Sequence, residues 1–254
     1  MVEEFIVSAR AKRGLTPSLV LLLPHGLEGQ GPDHATARPE RFLQLAAAVN
    51  LRIANCTTAA QFFHLLRRQA MLLKTDPLPL VIFTPKSLLR HPSVFSAPRE
   101  LSEGAWRSVI DDDEVRRHPL EVRRLILSSG KIYVDLVTSP LRAQNAGVAV
   151  CRLEQLYPFP EDDVKFLMKS YPNLEEVAWV QEEPRNMGAW EFLRLQLARL
   201  IDGRWPLHYI GRPRSSSPAE GSSAWHALNQ ELVVKQAYDL AQVRSEESVL
   251  LRKA

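Results

Sequence analysis

The chain has 254 residues, of which 45% are hydrophobic and 24% are charged. These proportions are typical of a globular protein and exclude a wholly disordered or collagen-like chain. The 32 basic residues outnumber the 29 acidic ones by only three, which is too small an excess to indicate nucleic-acid binding. No apolar run approaches the roughly 20 residues of a membrane helix. We therefore expect neither nucleic acid nor a membrane as a partner.

The N-terminal segment and the cysteines bear on location and completeness. Cys56 and Cys151 are too few for a disulfide framework or a zinc cluster, so we expect buried thiols. Glu3 and Glu4 stand where a signal peptide would need apolar residues, which favours the cytoplasm. Residues 2–13 have the pattern of an amphipathic helix with no strand before it, so we expect the chain to begin inside a domain.

Short runs rich in valine, isoleucine and leucine alternate with stretches of helical periodicity. The predicted strands cover residues 18–24, 51–55, 79–85, 124–128, 147–152, 177–181 and 207–211. The predicted helices cover residues 37–49, 59–74, 131–138, 160–169, 188–201 and 223–243. Each strand is short and apolar on both faces, as in a buried parallel sheet. The alternation of strands and helices predicts an α/β architecture.

One stretch interrupts this pattern. Residues 86–120 contain three prolines at 92, 98 and 119, clustered charges and no long periodic run. We interpret residues 96–119 as a connector. It would separate a first α/β unit at residues 1–95 from a second at residues 120–245.

The densest polar cluster, HGLEGQGPDH at residues 25–34, follows the first predicted strand. Its glycines let the backbone approach a ligand closely, and the carboxyl end of a strand is where open α/β sheets bind ligands. His25 and His34 can exchange protons near neutral pH. A helix predicted from Ala35 would also place His34 beside amides that favour an anion. The alternative is a plain turn capped by Asp33.

Two adjacent carboxylates, Glu182 and Glu183, follow a later strand. Such a pair could act as acid and base, but adjacent residues of an extended chain face opposite sides. We therefore do not expect a catalytic pair. We expect one carboxylate to orient the loop backbone and Trp190 to anchor the next helix.

Basic side chains occur at two further places, Arg67 with Arg68 on a predicted helix and Lys86 after a predicted strand. Such groups bind phosphate or carboxylate, but a solvated helix face and a polar connector explain them equally well. No zinc-ligand spacing, nucleophile elbow or serine–histidine–aspartate order stands out, so no metal site is expected in this chain.

Seven motifs occur in one order along the chain: LLLPHGLEGQGPDHATAR (21–38), FHLLRRQ (63–69), FTPKSLLRHP (83–92), LSSGKIYVDL (127–136), LEQLYPFP (153–160), WVQEEPRNMGAW (179–190) and GRPRSSSPAEG (211–221). With these motifs the chain resembles the C-terminal part of the thiamine-diphosphate-dependent decarboxylating component of 2-oxoglutarate dehydrogenase. The resemblance extends from about residue 2 to residue 240. Each motif alone is weak, whereas seven in order are specific.

The resemblance implies a fold and an activity. Residues 1–95 are similar to the latter part of a transketolase-type pyrimidine-binding domain, and residues 120–245 to a transketolase-type C-terminal α/β domain. The implied reaction is the oxidative decarboxylation of 2-oxoglutarate in the citric acid cycle. The cofactors are thiamine diphosphate and Mg²⁺, with most of their ligands outside this chain. The implied partners are a lipoyl-bearing succinyltransferase component and a second copy in a homodimer.

The resemblance also implies site residues. His34 matches a histidine that reaches the thiamine and substrate centre, where it would form a hydrogen bond to the substrate or an intermediate and transfer a proton. His25, Gln30, Gly29 and Gly31 would shape the same wall of the site.

A candidate effector site follows from the same resemblance. Arg68, Ser108 and Gln155 are similar to positions that bind the activator acetyl-CoA in some relatives. Asp162 and Asp163 stand where those relatives have basic residues, and two carboxylates would repel the phosphates of the activator. We therefore expect this regulation to be weak or absent.

The match lacks the parts of the family that hold the cofactor. The pyrophosphate-binding domain, the magnesium ligands and the glutamate that activates the aminopyrimidine ring all lie upstream in the family. We expect a partial subunit that is inactive alone and needs the missing N-terminal region or a partner chain. The alternative is a non-catalytic assembly or effector-binding module derived from that enzyme.

Overall fold

Two β-sheets organise the chain in the computed structural model, which describes residues 1–240. The strands are β1 (Val20–Leu23), β2 (Arg52–Ala54), β3 (Leu80–Phe83), β4 (Val109–Ile110), β5 (Arg124–Ser128), β6 (Val148–Leu153), β7 (Gln155–Tyr157), β8 (Glu176–Pro184) and β9 (Leu207–Arg212). The helices are α1 (Ala9–Arg13), α2 (Pro39–Leu45), α3 (Ala59–Met71), α4 (Pro98–Ser102), α5 (Lys131–Val137), α6 (Glu161–Lys169), α7 (Trp190–Ile201) and α8 (Ser223–Tyr238). The predicted α/β class is confirmed.

The first sheet has the strand order β1-β3-β2-β7. β1 and β2 each pair in parallel with β3, and Leu80 lies opposite both Val20 and Arg52. Every residue of β2 and β3 is buried, as expected for the middle of a parallel sheet. Helix α3 covers one face of this sheet, where Leu65 packs with Leu80 and Ile82.

The second sheet has the order β4-β6-β5-β8-β9. β5, β6, β8 and β9 are parallel to one another, whereas β4 pairs antiparallel with β6. Helix α8 covers one face, where Val233 and Ala237 pack against Ile126 and Val150. Helix α7 contributes Leu193 to a larger core on the other face of this sheet.

Strand β7 joins the two sheets. It follows β6 almost directly in the chain, yet it pairs antiparallel with β2 of the first sheet. The larger core likewise contains Ile53 and Phe83 from the first sheet together with Leu125 and Trp179 from the second. The segment interpreted as a connector supplies β4 to the second sheet. The domain limits 1–95, 96–119 and 120–245 therefore stay predictions, because the two units share strands and a core.

The structure changes several predicted boundaries. The predicted N-terminal helix is a π-helical turn, Val2–Val7, followed by α1. The predicted helix 37–49 ends at Leu45, and Ala48 and Val49 adopt positive φ values of 49° and 54°. Helix α8 ends at Tyr238, and residues 241–243 of its predicted range lie outside the described residues.

The two thiols differ in exposure. Cys151 is buried as expected, whereas Cys56 is partly exposed. Burial raises the pKa of both thiols well above its ordinary value. Within residues 1–240, no helix has the length and apolar character needed to cross a membrane.

Candidate functional site

Two loops meet at one edge of the first sheet. β1 and β3 are parallel neighbours, so the loops that follow them leave the sheet on the same side. The Ser87 amide after β3 donates to the Glu28 carboxylate after β1 over 2.8 Å. Gly29 and Gly31 have φ values of 70° and 90°, a region that residues with a Cβ rarely adopt. These contacts define the site loop, residues 24–34.

His34 lies at the end of the site loop, in a 3₁₀ turn formed by Pro32–His34. The helix predicted from Ala35 was wrong, because α2 begins only at Pro39. The proposed anion preference of a helix end at His34 therefore does not apply. The half-buried His34 ring instead places its Nδ1 atom 2.8 Å from the exposed Lys86 ammonium.

His25 begins the site loop and is 4% exposed. Its Nε2 atom lies 3.1 Å from Glu183 Oε1, and its ring packs 5.6 Å from the Phe83 ring. Its buried Nδ1 atom has no hydrogen-bond partner among residues 1–240. The two histidines therefore differ, since His25 contacts the acidic side chain of Glu183 and His34 contacts the basic side chain of Lys86.

Strand β8 holds the site loop from the second unit. Glu182 Oε1 accepts a hydrogen bond from the Leu27 amide over 2.9 Å, which confirms that one carboxylate orients the loop backbone. Glu183 reaches the same loop through His25, so the two adjacent carboxylates contact one loop, and the absence of a catalytic pair stays a prediction. The register of β8 shifts between Val180 and Pro184, and such an irregularity re-aims side chains.

A largely buried lysine, Lys131, balances the charge of Glu182. Lys131 Nζ lies 3.2 Å from Glu182 Oε2 and 2.6 Å from Asp135 Oδ2. Burial acts to lower the pKa of Lys131, but the two carboxylates outweigh it and raise the pKa above its ordinary value. Lys131 therefore stays charged, and its positive charge compensates the negative charge of the Glu182 carboxylate that holds the loop.

The remaining predicted wall residues occupy the same loop. Gln30 is exposed to solvent. A Cβ atom added at Gly29 would lie 3.2 Å from the His226 ring, whereas one added at Gly31 would meet open space. His226 of α8 therefore packs closely on the loop, which adds a third element to its support.

Trp190 is the first residue of α7, which begins two residues after the predicted start at residue 188. Its backbone amide donates to Gln181 Oε1 over 3.0 Å, and its side chain is 6% exposed. The first residue of α7 is thus tied to β8 by a buried hydrogen bond. The anchoring role expected for Trp190 is confirmed.

The candidate effector residues lie together at a separate cavity of about 470 Å³. Arg68 donates to Gln155 over 2.8 Å, and the Ser108 hydroxyl donates to Asp163. Arg107 and Arg116 also line this cavity, which we call the arginine cavity. No residue of the site loop lines it. Asp163 lies on its wall as expected, whereas Asp162 does not.

Sequence reasoning left Lys86 as a polar connector residue, although it lies beside His34. The signal that could have found it is the strand order, since a residue that closely follows β3 must lie near one that follows β1. Among residues 1–240, no group of three or more histidine, cysteine, aspartate or glutamate side chains could hold a metal ion.

Two successive α/β units, with polar loops at the carboxyl ends of parallel strands, define a protein of the open α/β class. The model of the transketolase pyrimidine-binding domain matches residues 1–92. The model described as 2-oxoglutarate dehydrogenase C-terminal matches residues 95–238. The chain therefore belongs to the 2-oxoglutarate dehydrogenase C-terminal family.

Similar proteins agree with this assignment. The 2-oxoglutarate dehydrogenase E1 component of Bacillus cereus (strain B4264) is 49% identical over 245 residues, and the match covers 94% of this chain. The corresponding E1 component of Bacillus anthracis is 48% identical over 245 residues. The matched region is only 26% of the length of each relative. The chain thus spans about a quarter of the relatives that it matches.

Proposed function

We propose that this chain is the distal part of a 2-oxoglutarate dehydrogenase subunit that decarboxylates 2-oxoglutarate and transfers a succinyl group to a lipoyl group. The family and the relatives support this proposal, and the 26% coverage supports a partial subunit. The observation that carries it is the site loop at the carboxyl edge of β1 and β3, because open α/β sheets bind ligands there.

The cofactor of the proposed reaction is thiamine diphosphate with Mg²⁺. When bound, thiamine diphosphate supplies the nucleophilic carbon and the electron sink of the decarboxylation. The site loop fits one side of such a group, because the buried His25 Nδ1 atom lacks a partner within the described chain and can accept a hydrogen bond. Gly29 and Gly31 keep Cβ atoms off the loop.

His34 is the proposed catalytic residue. Its imidazole is half-buried and lies beside an exposed ammonium, so a ligand can reach it from solvent. Imidazole is the side chain best suited to proton transfer near neutral pH. We propose that His34 donates a hydrogen bond to the substrate and transfers a proton, while His25 and Gln30 shape the wall.

The missing region is proposed from the incomplete coverage, and the other partners are proposed from the family. A missing N-terminal region, on the same or another chain, would supply the pyrophosphate-binding domain and the Mg²⁺ ligands. A lipoyl-bearing succinyltransferase would accept the product, and two complete subunits would form a dimer. The proposed place of action is the citric acid cycle in the cytoplasm.

Release of carbon dioxide tests this proposal. The purified chain, given 2-oxoglutarate, thiamine diphosphate, Mg²⁺ and an oxidised lipoyl-bearing acceptor for the succinyl group and its electrons, should release none. Co-expression with the upstream region of the Bacillus cereus relative should restore release. His34→Ala should then lower turnover at least roughly 100-fold, the loss typical of a missing proton-transfer group. His118→Ala, which changes an exposed histidine outside the loop, should not. Turnover by the chain alone, or an unchanged rate in His34→Ala, would contradict the proposal.

The arginine cavity supports a second candidate function, an effector-binding module. Arg68, Arg107 and Arg116 suit a phosphorylated ligand, whereas Asp111 and Asp163 oppose it. We propose that acetyl-CoA binds weakly and that Asp163→Ala tightens binding, measured by calorimetry. Tight binding by the unchanged chain, combined with no activity beside an upstream region, would favour the module over the enzyme subunit.

A further inference from the structure

The contact between Lys86 and His34 fixes more than their positions. Lys86 Nζ lies 2.8 Å from His34 Nδ1, and the two residues are 52 positions apart in the chain. The adjacent Ser87 amide is held by Glu28 of the site loop. The lysine therefore stands in a defined place, set by the two loops that leave β1 and β3.

The chemistry of the two groups fixes the direction of this hydrogen bond. A lysine ammonium carries three donors and no acceptor, whereas a neutral imidazole has one donor nitrogen and one acceptor nitrogen. His34 Nδ1 must therefore be the acceptor. The proton of the neutral ring then lies on Nε2. The tautomer follows from the partner, as it does for histidines held by second groups elsewhere.

We propose that Lys86 is a positioning residue that holds His34 as the Nε2–H tautomer, so that His34 presents a hydrogen-bond donor to an oxygen of the substrate. This inference rests on the proposed function, in which His34 faces the substrate. It adds a second residue to the site and states which nitrogen acts. It also predicts that His34 begins the reaction as a donor and not as a base.

The same arrangement selects a class of ligand. Lys86 retains two N–H groups beyond the one used by His34, and its side chain is exposed. An ammonium beside an Nε2–H group offers a positive charge and several donors to one ligand. A carboxylate or the carbonyl oxygen of a 2-oxo acid matches this set, because charge-assisted hydrogen bonds are the stronger ones. A cationic or apolar ligand does not.

Nuclear magnetic resonance on the chain without cofactor tests the tautomer. Long-range ¹H–¹⁵N correlations distinguish protonated from unprotonated ring nitrogens, and the loss of one ring signal in His34→Gln identifies His34. In the unchanged protein, His34 should carry its proton on Nε2. Lys86→Arg retains a donor and should keep this tautomer. Lys86→Glu supplies an acceptor and should move the proton to Nδ1. Lys74→Glu, which makes the same change at another exposed lysine, should leave the tautomer unchanged.

Two results would overturn the inference. The first is an Nδ1–H tautomer of His34 in the unchanged protein. The second is a Lys86→Glu variant in which His34 keeps its Nε2–H tautomer, while the ring signals of the other histidines show that the variant is folded. Because no cofactor or turnover enters this measurement, its failure is distinct from a failure of the proposed function.

Kinetics provides the second arm, in the protein reconstituted with the upstream region. Lys86→Met should raise the KM for 2-oxoglutarate by roughly tenfold or more, the factor for a lost charge-assisted hydrogen bond. Lys86→Arg should keep the KM close to that of the unchanged protein, because arginine also donates charged hydrogen bonds. An unchanged KM in Lys86→Met would contradict the ligand class.

Discussion

Glu154 connects the two units, and its replacement should reveal how strongly they depend on each other. It lies between β6 and β7, where the chain passes from the second sheet to the first, and it is 0% exposed. Its carboxylate accepts hydrogen bonds from the Thr57 amide, over 2.9 Å, and from the Thr57 hydroxyl. Arg152 Nε lies 3.8 Å away.

The magnitude follows from what each substitution leaves behind. Glu154→Ala and Glu154→Gln both remove the counter-charge of Arg152, but Glu154→Ala also leaves the Thr57 amide and hydroxyl without their acceptor and opens a buried cavity, which should cost about 3–5 kcal/mol of unfolding free energy. Glu154→Gln keeps an acceptor for the Thr57 amide, and its amide group can donate to the Thr57 hydroxyl. This variant should therefore cost only about 1 kcal/mol.

Acidity gives an independent check. Burial raises the pKa of Glu154 above its ordinary value, and this effect outweighs Arg152 and the Thr57 hydrogen bonds. The folded chain then binds a proton at pH values where the unfolded chain has lost it. The unfolding free energy should fall as pH rises above the ordinary carboxyl value of about 4.3. Glu154→Gln lacks this contribution, so the advantage of the unchanged protein should shrink with rising pH.

Urea unfolding, followed by tryptophan fluorescence and by far-ultraviolet circular dichroism, measures these effects. All five tryptophans lie beyond residue 100, so fluorescence reports mainly on the second unit and dichroism on both. The two transitions should coincide in the unchanged protein. A Glu154→Ala cost below about 1 kcal/mol, or equal costs for the alanine and glutamine variants, would refute this reasoning.

Two further substitutions test the supports of the site loop and of α8. Glu182→Ala should speed hydrogen exchange of the Leu27 amide, which loses its 2.9 Å acceptor, whereas Glu182→Gln should preserve protection; equal exchange in both variants would count against the contact. Arg124→Met should destabilise the chain by about 3 kcal/mol in urea, because it removes the 2.8 Å partner of the buried Glu176, which retains His208 at 3.2 Å, and also removes a donor to the Ala237 carbonyl. A loss below about 1 kcal/mol would contradict that estimate.

The buried strands could be predicted because a short apolar run is visible in the local sequence. β3 is a continuous apolar run and β5 has an apolar centre at residues 125–127, and both strands are buried at every position. Such runs need a covered parallel sheet. β4 and β7 could not be predicted in this way. They contain two and three residues, too few to show a period, and their pairing depends on partners far along the chain.

In the candidate site too, the features close together in the sequence were predicted and the contacts between distant residues were not. The glycines and histidines of the site loop were visible in the sequence, because they are close together and follow a strand. The partners of the histidines were not, since Glu183 is 158 positions from His25 and Lys86 is 52 from His34. The irregular register of β8 was not predicted either, although Pro184, which has no N–H to donate to a neighbouring strand, is a local signal of such an irregularity.

The crossing of β7 from one sheet to the other has a consequence for a broken chain. A protease cut between residues 96 and 119 would sever the backbone between the two units. The second fragment would contain β7, which is the fourth strand of the first sheet and pairs with β2 of the first fragment. The shared core would also remain buried between the fragments. The nicked protein should therefore migrate as one particle until denatured, and its two pieces should reassociate by complementation. A segment that belongs to the second unit in sequence thus belongs to the first sheet in structure.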